Sequence, residues 1–406
     1  MGSEKRICHV TFSTSGGAGI VAKRLQEGQL KTGLESRLLS MTDENIQALL
    51  FSDPILVSKA LADFYGVRRT RESHLFSLLR DSSDVSIRRE IETSNEILHF
   101  HWTPGVVSLG DIEMYLKGGR PIVWTLHDMW AFTGGCHHAL ECNQYETGCL
   151  QCPQTRTIFR RKVQTSAQLK RTVFDEVNKI HFVSPSQWLA EKAIASSAFS
   201  NAKIHVVPNP INCEVFKPGD KGTARSKYGI TENAFVIGCS SMNLSDPMKN
   251  MHKLAKGIEE FIELAQGREI VLLAVGGGEL AIDGCRIFLT GPISSEAEMS
   301  STYQAMDVFV SLSLAENFPL TVAEAAASGV PVICLERGGM PEIVIDGITG
   351  RVIETEDELP TVLVDFISDS QGLREMSIKS RKQAIESFSL ESVLQKYDRI
   401  YDEARN

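Results

Sequence analysis

The sequence lacks several features that would assign it to a class at once. No apolar run reaches the length of about 20 residues that a membrane-spanning helix needs. The first apolar run, residues 7–12, is too short for the core of a secretory signal peptide. The formal net charge is −9, whereas nucleic-acid-binding proteins carry a basic surface. These absences predict a cytoplasmic protein that does not bind nucleic acid.

Two ligand-binding motifs are also missing. A glycine-rich turn with Gly16 and Gly17 follows the first apolar run, but the G-x-G-x-x-G fingerprint of dinucleotide-binding enzymes does not. The sequence also has no Asp-x-Asp pair to hold a divalent cation. The sequence therefore argues against a dehydrogenase and predicts no catalytic metal.

The composition is that of a soluble globular enzyme. The chain has 406 residues, which exceeds one hydrophobic core and predicts two domains. Hydrophobic residues make up 42% of the chain and charged residues 23%. Short apolar runs rich in β-branched residues alternate with helical segments along both halves. This alternation predicts an α/β fold with doubly wound parallel sheets.

Residues 307–329 contain the most informative pattern. Residues 307–313 are a β-rich apolar run, and a helix is predicted from about Pro319 to Gly329. In open parallel sheets, ligands bind beyond the carboxyl ends of strands, and the first helical turn offers N–H groups to an anion. A sugar or a ribose would suit Glu316 and Glu324, because its hydroxyls can donate to carboxylates. We expect a phosphate near Asn317, Phe318, Pro319 and Leu320.

The two glutamates lie in a wider pattern that resembles a known family. Glu316 and Glu324 form E-x7-E, and Gly-Val-Pro-Val at 329–332 and Gly-Gly-Met-Pro-Glu at 338–342 follow. This pattern resembles the retaining glycosyltransferases of family 4, which have the GT-B fold. The resemblance implies that Glu316 contacts the donor sugar and Glu324 the nucleotide ribose. It also implies two Rossmann-like domains that face each other across a cleft.

The resemblance predicts the domain boundaries. The N-terminal, acceptor-side domain is expected at residues 1–210, because the prolines near its end terminate a strand and a polar linker follows. The C-terminal, nucleotide-sugar domain is expected at residues 211–387. Residues 388–406 include an amphipathic segment, and the resemblance implies that it crosses back to the N-terminal domain as a helix.

The resemblance also assigns roles to residues of the N-terminal half. It implies that Gly16 and Gly17 face the donor phosphates and the acceptor, and that His127 reaches the donor sugar. A histidine packed in the core is the alternative for His127. His101 and Trp102 end another strand at the edge where ligands bind, so they are candidates for the acceptor side, although histidines at strand ends are often merely packed.

In the C-terminal half, the resemblance places Lys249 on the diphosphate. The family usually has Gly-Arg in the preceding loop, where this sequence has Ser240-Ser241. Without that arginine, Lys249 and the start of the helix near residues 317–320 must stabilise more of the charge on the leaving diphosphate. The turn with Pro292 and Ile293 resembles the one whose backbone cradles the base.

Together these assignments predict retaining transfer of a sugar, with glucose as our choice, from a UDP-sugar to a saccharide or lipid-linked saccharide. The sequence offers no obvious nucleophile, which agrees with the front-face mechanism proposed for the family. A catalytically idle nucleotide-sugar scaffold and a GT-B epimerase acting on UDP-sugars are the alternatives. The residues around 131–138, with the cysteines that follow, resemble the subset of the family that builds bacterial exopolysaccharides.

Four cysteines lie within seventeen residues, at Cys136, Cys142, Cys149 and Cys152. The last two form C-x-x-C, which is half of a common zinc motif, and disulfides are disfavoured in a reducing cytoplasm. The sequence predicts a structural zinc site here, with disulfides and free packed thiols as the alternatives.

A basic helix is predicted at residues 156–171. It carries six cationic residues and no acidic one. Such a helix could contact anionic lipid at the inner face of the plasma membrane, or it could simply be a solvated face, which is the reading we prefer.

Overall fold

The computed structural model describes residues 5–41, 76–79, 83–175, 180–265 and 267–406. The chain divides into two compact units, one formed by Met1–Pro208 with Val393–Asn406 and the other by Asn209–Ser392. In the part of the chain that the structure describes, no helix has the length and apolar character to cross a membrane.

The first unit contains a six-stranded sheet in which every described strand pair is parallel. Its strand order is β2-β1-β3-β4-β5-β6. The elements are β1 (Arg6–Thr11), α1 (Gly16–Lys31), β2 (Glu35–Ser40), α2 (Val85–Glu92), β3 (Ile97–Phe100), α3 (Leu109–Lys117), β4 (Ile122–Thr125), α4 (Arg160–Asp175), β5 (Ile180–Ser184), α5 (Gln187–Ala195) and β6 (Lys203–Val206).

The second unit contains another six-stranded sheet, also parallel in its described pairs, with the order β12-β11-β10-β7-β8-β9. Its elements are α6 (Lys221–Ser226), β7 (Phe235–Asn243), α7 (Met251–Leu264), β8 (Ile270–Gly277), β9 (Arg286–Leu289), α8 (Glu296–Gln304), β10 (Val308–Ser311), α9 (Leu320–Ala327), β11 (Val332–Leu335), α10 (Met340–Ile343), β12 (Gly350–Ile353), α11 (Leu359–Ser368) and α12 (Ser370–Phe388).

The strands form for the reason that the sequence suggested. Central strands such as β4 and β11 are buried at every position, as expected where helices cover both faces of a parallel sheet. Each sheet also changes winding direction once, because the chain leaves the middle of the sheet toward one edge and later returns toward the other. The prediction of two doubly wound α/β sheets is therefore confirmed.

The last helix, α13 (Leu390–Arg405), packs its aromatic residues into the first unit. The hydroxyl of Tyr397 lies 2.7 Å from Thr125 Oγ1, and that of Tyr401 lies 2.8 Å from His99 Nδ1. Lys5 Nζ lies 2.5 Å from Asp398 and 2.7 Å from Asp402. These contacts attach the C-terminal residues to the first sheet.

Candidate functional site

The second sheet changes direction between β7 and β10, which are neighbours in it. From β7 the chain continues outward to β8 and β9, and from β10 it continues the other way to β11 and β12. The loops that follow β7 and β10 therefore diverge at the carboxyl edge, which is where open α/β sheets bind ligands. One backbone hydrogen bond connects the two loops, from Leu314 N to Met248 O at 2.9 Å.

Lys249 and Glu316 meet at this point. Lys249 ends the 3₁₀ helix Pro247–Lys249, which Asp246 caps by accepting from Met248 N at 2.9 Å. The Lys249 ammonium donates to Glu316 Oε1, and the two side chains are 29% and 16% exposed. Burial acts to lower the pKa of Lys249, but the carboxylates of Glu316 and Asp246 outweigh it and raise the pKa. Lys249 is thus a cation held close to the sheet edge.

The backbone of Glu316 is fixed by a glycine turn. Gly339 N donates to Glu316 O at 2.9 Å, and Gly338 lies in the left-handed region with a φ of 61°. A Cβ atom at Gly338 would overlap the Glu316 carbonyl. The close approach and the positive φ both require glycine here. The Gly-Gly pair therefore determines where the Glu316 carboxylate lies.

Glu324 is not a solvated helix residue, although it lies on α9. It is only 6% exposed, and its Oε2 accepts a hydrogen bond from the hydroxyl of Tyr303 at 3.3 Å. A buried carboxylate needs such donors, because its desolvation is otherwise costly. The arrangement prepares Glu324 to accept hydrogen bonds rather than to face bulk water.

The four residues before and at the start of α9 differ in what they can offer a phosphate. The helix begins at Leu320 with Pro319 as its N-cap, so Pro319 contributes no N–H group. Phe318 is buried and packs edge-on against Phe388, with ring centroids 5.4 Å apart. Asn317 is also buried. Phe318 and Leu320 can therefore bind a phosphate of the nucleotide sugar only through their backbone N–H groups.

The turn after β9 lies beside the end of β8. Gly276 N donates to Gly291 O at 3.0 Å, and Gly276 approaches Ser241 so closely that a Cβ would overlap its carbonyl. Pro292 is exposed, whereas Ile293 packs partly against the core. The candidate residues of the second unit thus follow three strands of one sheet, β7, β9 and β10, at its carboxyl edge.

In the first unit, Gly16 and Gly17 begin α1 directly after β1. A Cβ at either position would meet no atom within 4 Å, so both glycines border open space. Gly19 is the tightly packed glycine, since a Cβ there would overlap Ser13 O. The helix starts at Gly16, and its first N–H groups lie at the carboxyl edge of the first sheet.

Asp128 connects the residues that follow β3 and β4. Its Oδ2 accepts from Trp102 Nε1 at 2.8 Å and lies 2.6 Å from His137 Nδ1, while Oδ1 accepts from Trp130 N at 2.8 Å. Burial acts to raise the pKa of Asp128, but His137 and the Trp130 N–H lower it to about 2. Trp102, a predicted acceptor-side residue, is therefore oriented through its indole N–H.

His127 lies at the end of β4 and is partly exposed. Its Nε2 lies 3.0 Å from His101 Nδ1. Burial lowers the pKa of His127 to about 4, although Asp128 opposes this, so the ring is neutral near pH 7. His127 keeps its candidacy as a substrate-facing residue.

The expectation for His101 needs correction. This side chain is only 2% exposed, and its Nε2 lies 2.9 Å from His9 Nδ1 while its Nδ1 faces His127. A ring with both nitrogens engaged by other histidines does not contact a substrate. His101 instead supports His127. Sequence reasoning missed His9. The structure pairs it with His99 of β3 in the sheet register, and His101 follows directly after that strand.

The four clustered cysteines contain no disulfide. Burial raises the pKa of Cys149 to about 11 and also raises that of Cys136. No three of the four sulfur atoms lie within 4.8 Å of one another. Zinc–sulfur bonds of about 2.3 Å would require the sulfur atoms to move closer together. The structural zinc stays a prediction.

The basic segment forms α4, but one of its cations is not on the surface. Lys170 is fully buried, donates to the carbonyls of Trp130 and Thr133, and lies 3.7 Å from the Trp130 ring centroid. Burial lowers its pKa to about 7, although Cys136, Cys149 and Asp128 act to raise it. Lys170 therefore departs from the expected solvated face, because carbonyl oxygens replace its water.

Two families match the sequence. Residues 15–215 match the family described as Glycosyltransferase Family 4, and residues 234–369 match the one described as Glycosyl transferases group 1. Between them they cover most of both units. The candidate residues before 215 lie in the first match, and Lys249, Glu316 and Glu324 lie in the second.

One relative is similar over nearly the full length of the chain, and another is similar over less than half of it. The chain is 25% identical over 409 residues to the colanic acid biosynthesis glycosyl transferase named WcaC of Escherichia coli (strain K12), which covers 95% of this chain and 96% of that protein. It is 29% identical over 184 residues to D-inositol 3-phosphate glycosyltransferase 1 of Catenulispora acidiphila, covering 41% of this chain and 44% of that protein.

Solved structures share the fold. HepE of Anabaena, crystallised with UDP and glucose, matches with a TM-score of 0.65 at 15% identity, covering 98% of this chain and all 100% of that one. A glycosyltransferase from Rickettsia africae matches with a TM-score of 0.68 at 16% identity, covering 99% of each chain.

Proposed function

Since the chain belongs to the glycosyltransferases of the GT-B fold, we propose that it transfers a sugar from a nucleotide diphosphate sugar to a saccharide or lipid-linked saccharide, with retention of anomeric configuration. The observation that carries the proposal is the pairing of Lys249 with Glu316 at the point where the second sheet changes direction. A cation suits a diphosphate and a carboxylate suits sugar hydroxyls, so one crevice serves both parts of the donor.

Each residue then has a defined task. Glu316 accepts hydrogen bonds from the donor sugar, and Glu324, one helix further, accepts them from the ribose. Lys249 and the first N–H groups of α9 stabilise the negative charge that develops on the leaving diphosphate. His127 contacts the donor sugar, as the resemblance to the family implies.

The reaction needs no protein nucleophile. The bond between the anomeric carbon and the phosphate oxygen breaks while the acceptor oxygen bonds to the same face of that carbon. The departing phosphate oxygen takes the proton of the acceptor hydroxyl, so the base comes from the substrate. We propose that this chemistry runs without a divalent cation, since Lys249 already supplies positive charge where the diphosphate would lie.

The finer assignments follow the similar proteins. Crystals of HepE contain UDP-glucose, which supports UDP as the nucleotide and glucose as the sugar. The relative named for colanic acid biosynthesis supports a role in exopolysaccharide synthesis. Such synthesis uses cytoplasmic nucleotide sugars, so we propose a cytoplasmic enzyme that works at the inner face of the plasma membrane.

The proposal is tested first by ligand binding and product analysis. A thermal-shift panel of nucleotides and nucleotide sugars should single out UDP and a UDP-sugar, because a ligand at 100 times its Kd adds about 2.7 kcal/mol to stability. Incubation with donor and acceptor should then give a glycoside that retains the anomeric configuration. Formation of an epimer of the donor, or tight binding without any turnover, would contradict the proposal.

The division of roles between the two glutamates gives a second test. Glu324→Ala should weaken UDP and UDP-sugar binding alike, because the ribose is present in both. Glu316→Ala should mainly lower turnover, because its partner is the reacting sugar. Calorimetric titration with UDP and steady-state kinetics separate the two effects. An equal loss of UDP affinity in both variants would disprove this division.

The sequence alone favours a solvated face for the basic helix, but because of its exposed apolar residues we also propose that α4 contacts anionic lipid. Its first turn exposes Arg161 and Lys162, while Ile158 and Leu169 are 78% and 49% exposed on the same segment. Basic and apolar groups together are typical of helices that lie in a membrane interface.

Changing Arg160, Arg161 and Lys162 together to serine should lower sedimentation with anionic liposomes while activity on a soluble acceptor stays unaltered. Each cation near such a surface contributes about 1 kcal/mol. A matched variant removes three exposed lysines of the second unit, Lys256, Lys379 and Lys382. If both variants lose liposome binding equally, the effect is one of net charge and α4 has no special part in it.

A further inference from the structure

A chain of hydrogen-bonded side chains runs from His127 into the core of the first unit. His127 Nε2 lies 3.0 Å from His101 Nδ1, and His101 Nε2 lies 2.9 Å from His9 Nδ1. His9 Nε2 lies 2.8 Å from Gln29 Oε1. His9, His101 and Gln29 are buried. The substrate-facing histidine is thus connected to a residue on α1 through two others.

Each imidazole in this chain carries one proton. Burial lowers the pKa of His9 and of His127 to about 4 and that of His101 well below its usual value, so all three are neutral near pH 7. A neutral imidazole has one N–H donor and one acceptor nitrogen. The direction of the hydrogen bond between Gln29 and His9 therefore determines which ring nitrogen carries the proton in each of the three histidines.

The orientation of Gln29 sets the direction. Its Oε1 accepts from Ser36 Oγ at 2.7 Å, and its Nε2 donates to the Tyr401 hydroxyl at 3.0 Å. Since Oε1 only accepts, His9 must donate through Nε2 and accept at Nδ1. His101 then donates through Nε2, and so does His127. Turning the Gln29 amide over would reverse every donor in the chain.

We propose that Gln29, His9 and His101 are positioning residues that hold His127 in the tautomer with hydrogen on Nε2 and a lone pair on Nδ1. His127 then offers an acceptor to its partner. A sugar hydroxyl is such a partner, and this consequence for catalysis rests on the proposed function. Tyr401, on the C-terminal helix, belongs to the same hydrogen-bond network, because its hydroxyl accepts from the Gln29 amide and fixes the orientation of that amide.

A metal ion is the competing explanation of the histidines. Ring nitrogens of His9, His99 and His101 lie close enough together to hold one. Both His99 nitrogens have hydrogen-bond partners, however, with Nδ1 2.8 Å from the Tyr401 hydroxyl and Nε2 2.8 Å from Thr125 Oγ1. The network of hydrogen bonds already satisfies these rings, so we prefer it.

The tautomer is read directly from imidazole ¹⁵N resonances of the full chain, because protonated and bare ring nitrogens resonate far apart. His127 is assigned from the signals that disappear in His127→Asn. We expect Nε2–H in the wild type. A proton on Nδ1, or an ion found on the histidines by metal analysis, would overturn the proposal.

Gln29→Met should reverse the direction of the hydrogen bonds between the three histidines. His9 Nε2 would lose its acceptor, and an unpaired buried N–H costs more than a bare lone pair, so the protons should move and His127 should become Nδ1–H. Tyr401→Phe should do the same, because Gln29 Nε2 would lose its acceptor and the amide would turn over. An unchanged His127 tautomer in either folded variant contradicts the proposal.

Tyr397→Phe is the matched control. Tyr397 is also buried on α13, but its hydroxyl bonds to Thr125 and not to Gln29. It should leave the tautomer of His127 as in the wild type. In Tyr401→Phe, kcat/KM for the donor should fall about tenfold more than in Tyr397→Phe, as expected for one hydrogen bond. If Tyr401→Phe reverses the tautomer but is as active as Tyr397→Phe, His127 does not contact the donor sugar, although the hydrogen-bonded chain of histidines still sets its tautomer.

Discussion

Replacing Lys249 with alanine should slow sugar transfer by about 10²- to 10³-fold, the range for losing one preorganised group that stabilises developing charge. The leaving diphosphate gains negative charge as its bond to the sugar breaks, so the loss should appear mainly in kcat. Steady-state kinetics with the donor varied at a saturating acceptor concentration measures it. A change confined to KM would mean that Lys249 binds the donor equally in ground and transition states.

The control for Lys249 lies on the next helix. Lys256 is exposed and paired with Glu260 at 3.2 Å, so Lys256→Ala removes a lysine near the site without touching the crevice. It should leave kcat unaltered. Added magnesium should not restore Lys249→Ala, and EDTA should not abolish wild-type activity. Loss of wild-type activity in EDTA would contradict the metal-independent mechanism, provided that zinc analysis shows no metal in the cysteine cluster.

The ion pair between Lys249 and Glu316 predicts how the effects of the two substitutions combine. Lys249 donates to Glu316, so removing either residue also disturbs the other. The losses from Lys249→Ala and Glu316→Gln should therefore not add, and the double variant should lose less than the sum of the two in free energy. Additive losses would mean that the two side chains act independently in the transition state.

The sequence was sufficient for the sheets, because the strands of a parallel sheet are continuous apolar runs separated by helical segments. It was also sufficient for bringing Lys249 and Glu316 to one edge, because each lies between a strand and the helix that follows it. Their ion pair could not be predicted. It depends on β7 and β10 being neighbours, and the strand order, unlike the strand positions, is set by long-range packing.

The residues that sequence reasoning missed are those whose partners are distant in the chain. His9 and His101 are 92 positions apart, and Gln29 and Tyr401 are 372 apart. Lys170 looked like one more surface cation, and its burial follows only from two carbonyl groups some 40 residues earlier. Periodicity indicates which face a residue occupies, but it does not indicate what lies opposite that face.

The turn formed by Gly338 and Gly339 fixes the backbone of Glu316, so a substitution there should also have a large effect on catalysis. Gly338→Ala should lower kcat by about 10²-fold, the loss that a displacement of about 1 Å can cause in a positioned group. The new Cβ would overlap the Glu316 carbonyl, so Glu316 and the hydrogen bond from Gly339 must shift together. The positive φ adds about 1–2 kcal/mol of strain, which should lower Tm as well.

Gly347→Ala separates strain from displacement. Gly347 also has a positive φ, 68°, but a Cβ there would meet no atom within 4 Å. Its variant should lose a similar amount of stability through strain alone, while kcat stays near that of the wild type. Thermal unfolding and kinetics on both variants then isolate the clash. If both variants lose activity equally, or if Gly338→Ala turns over normally, the turn does not position Glu316, and the role of this carboxylate must come from elsewhere.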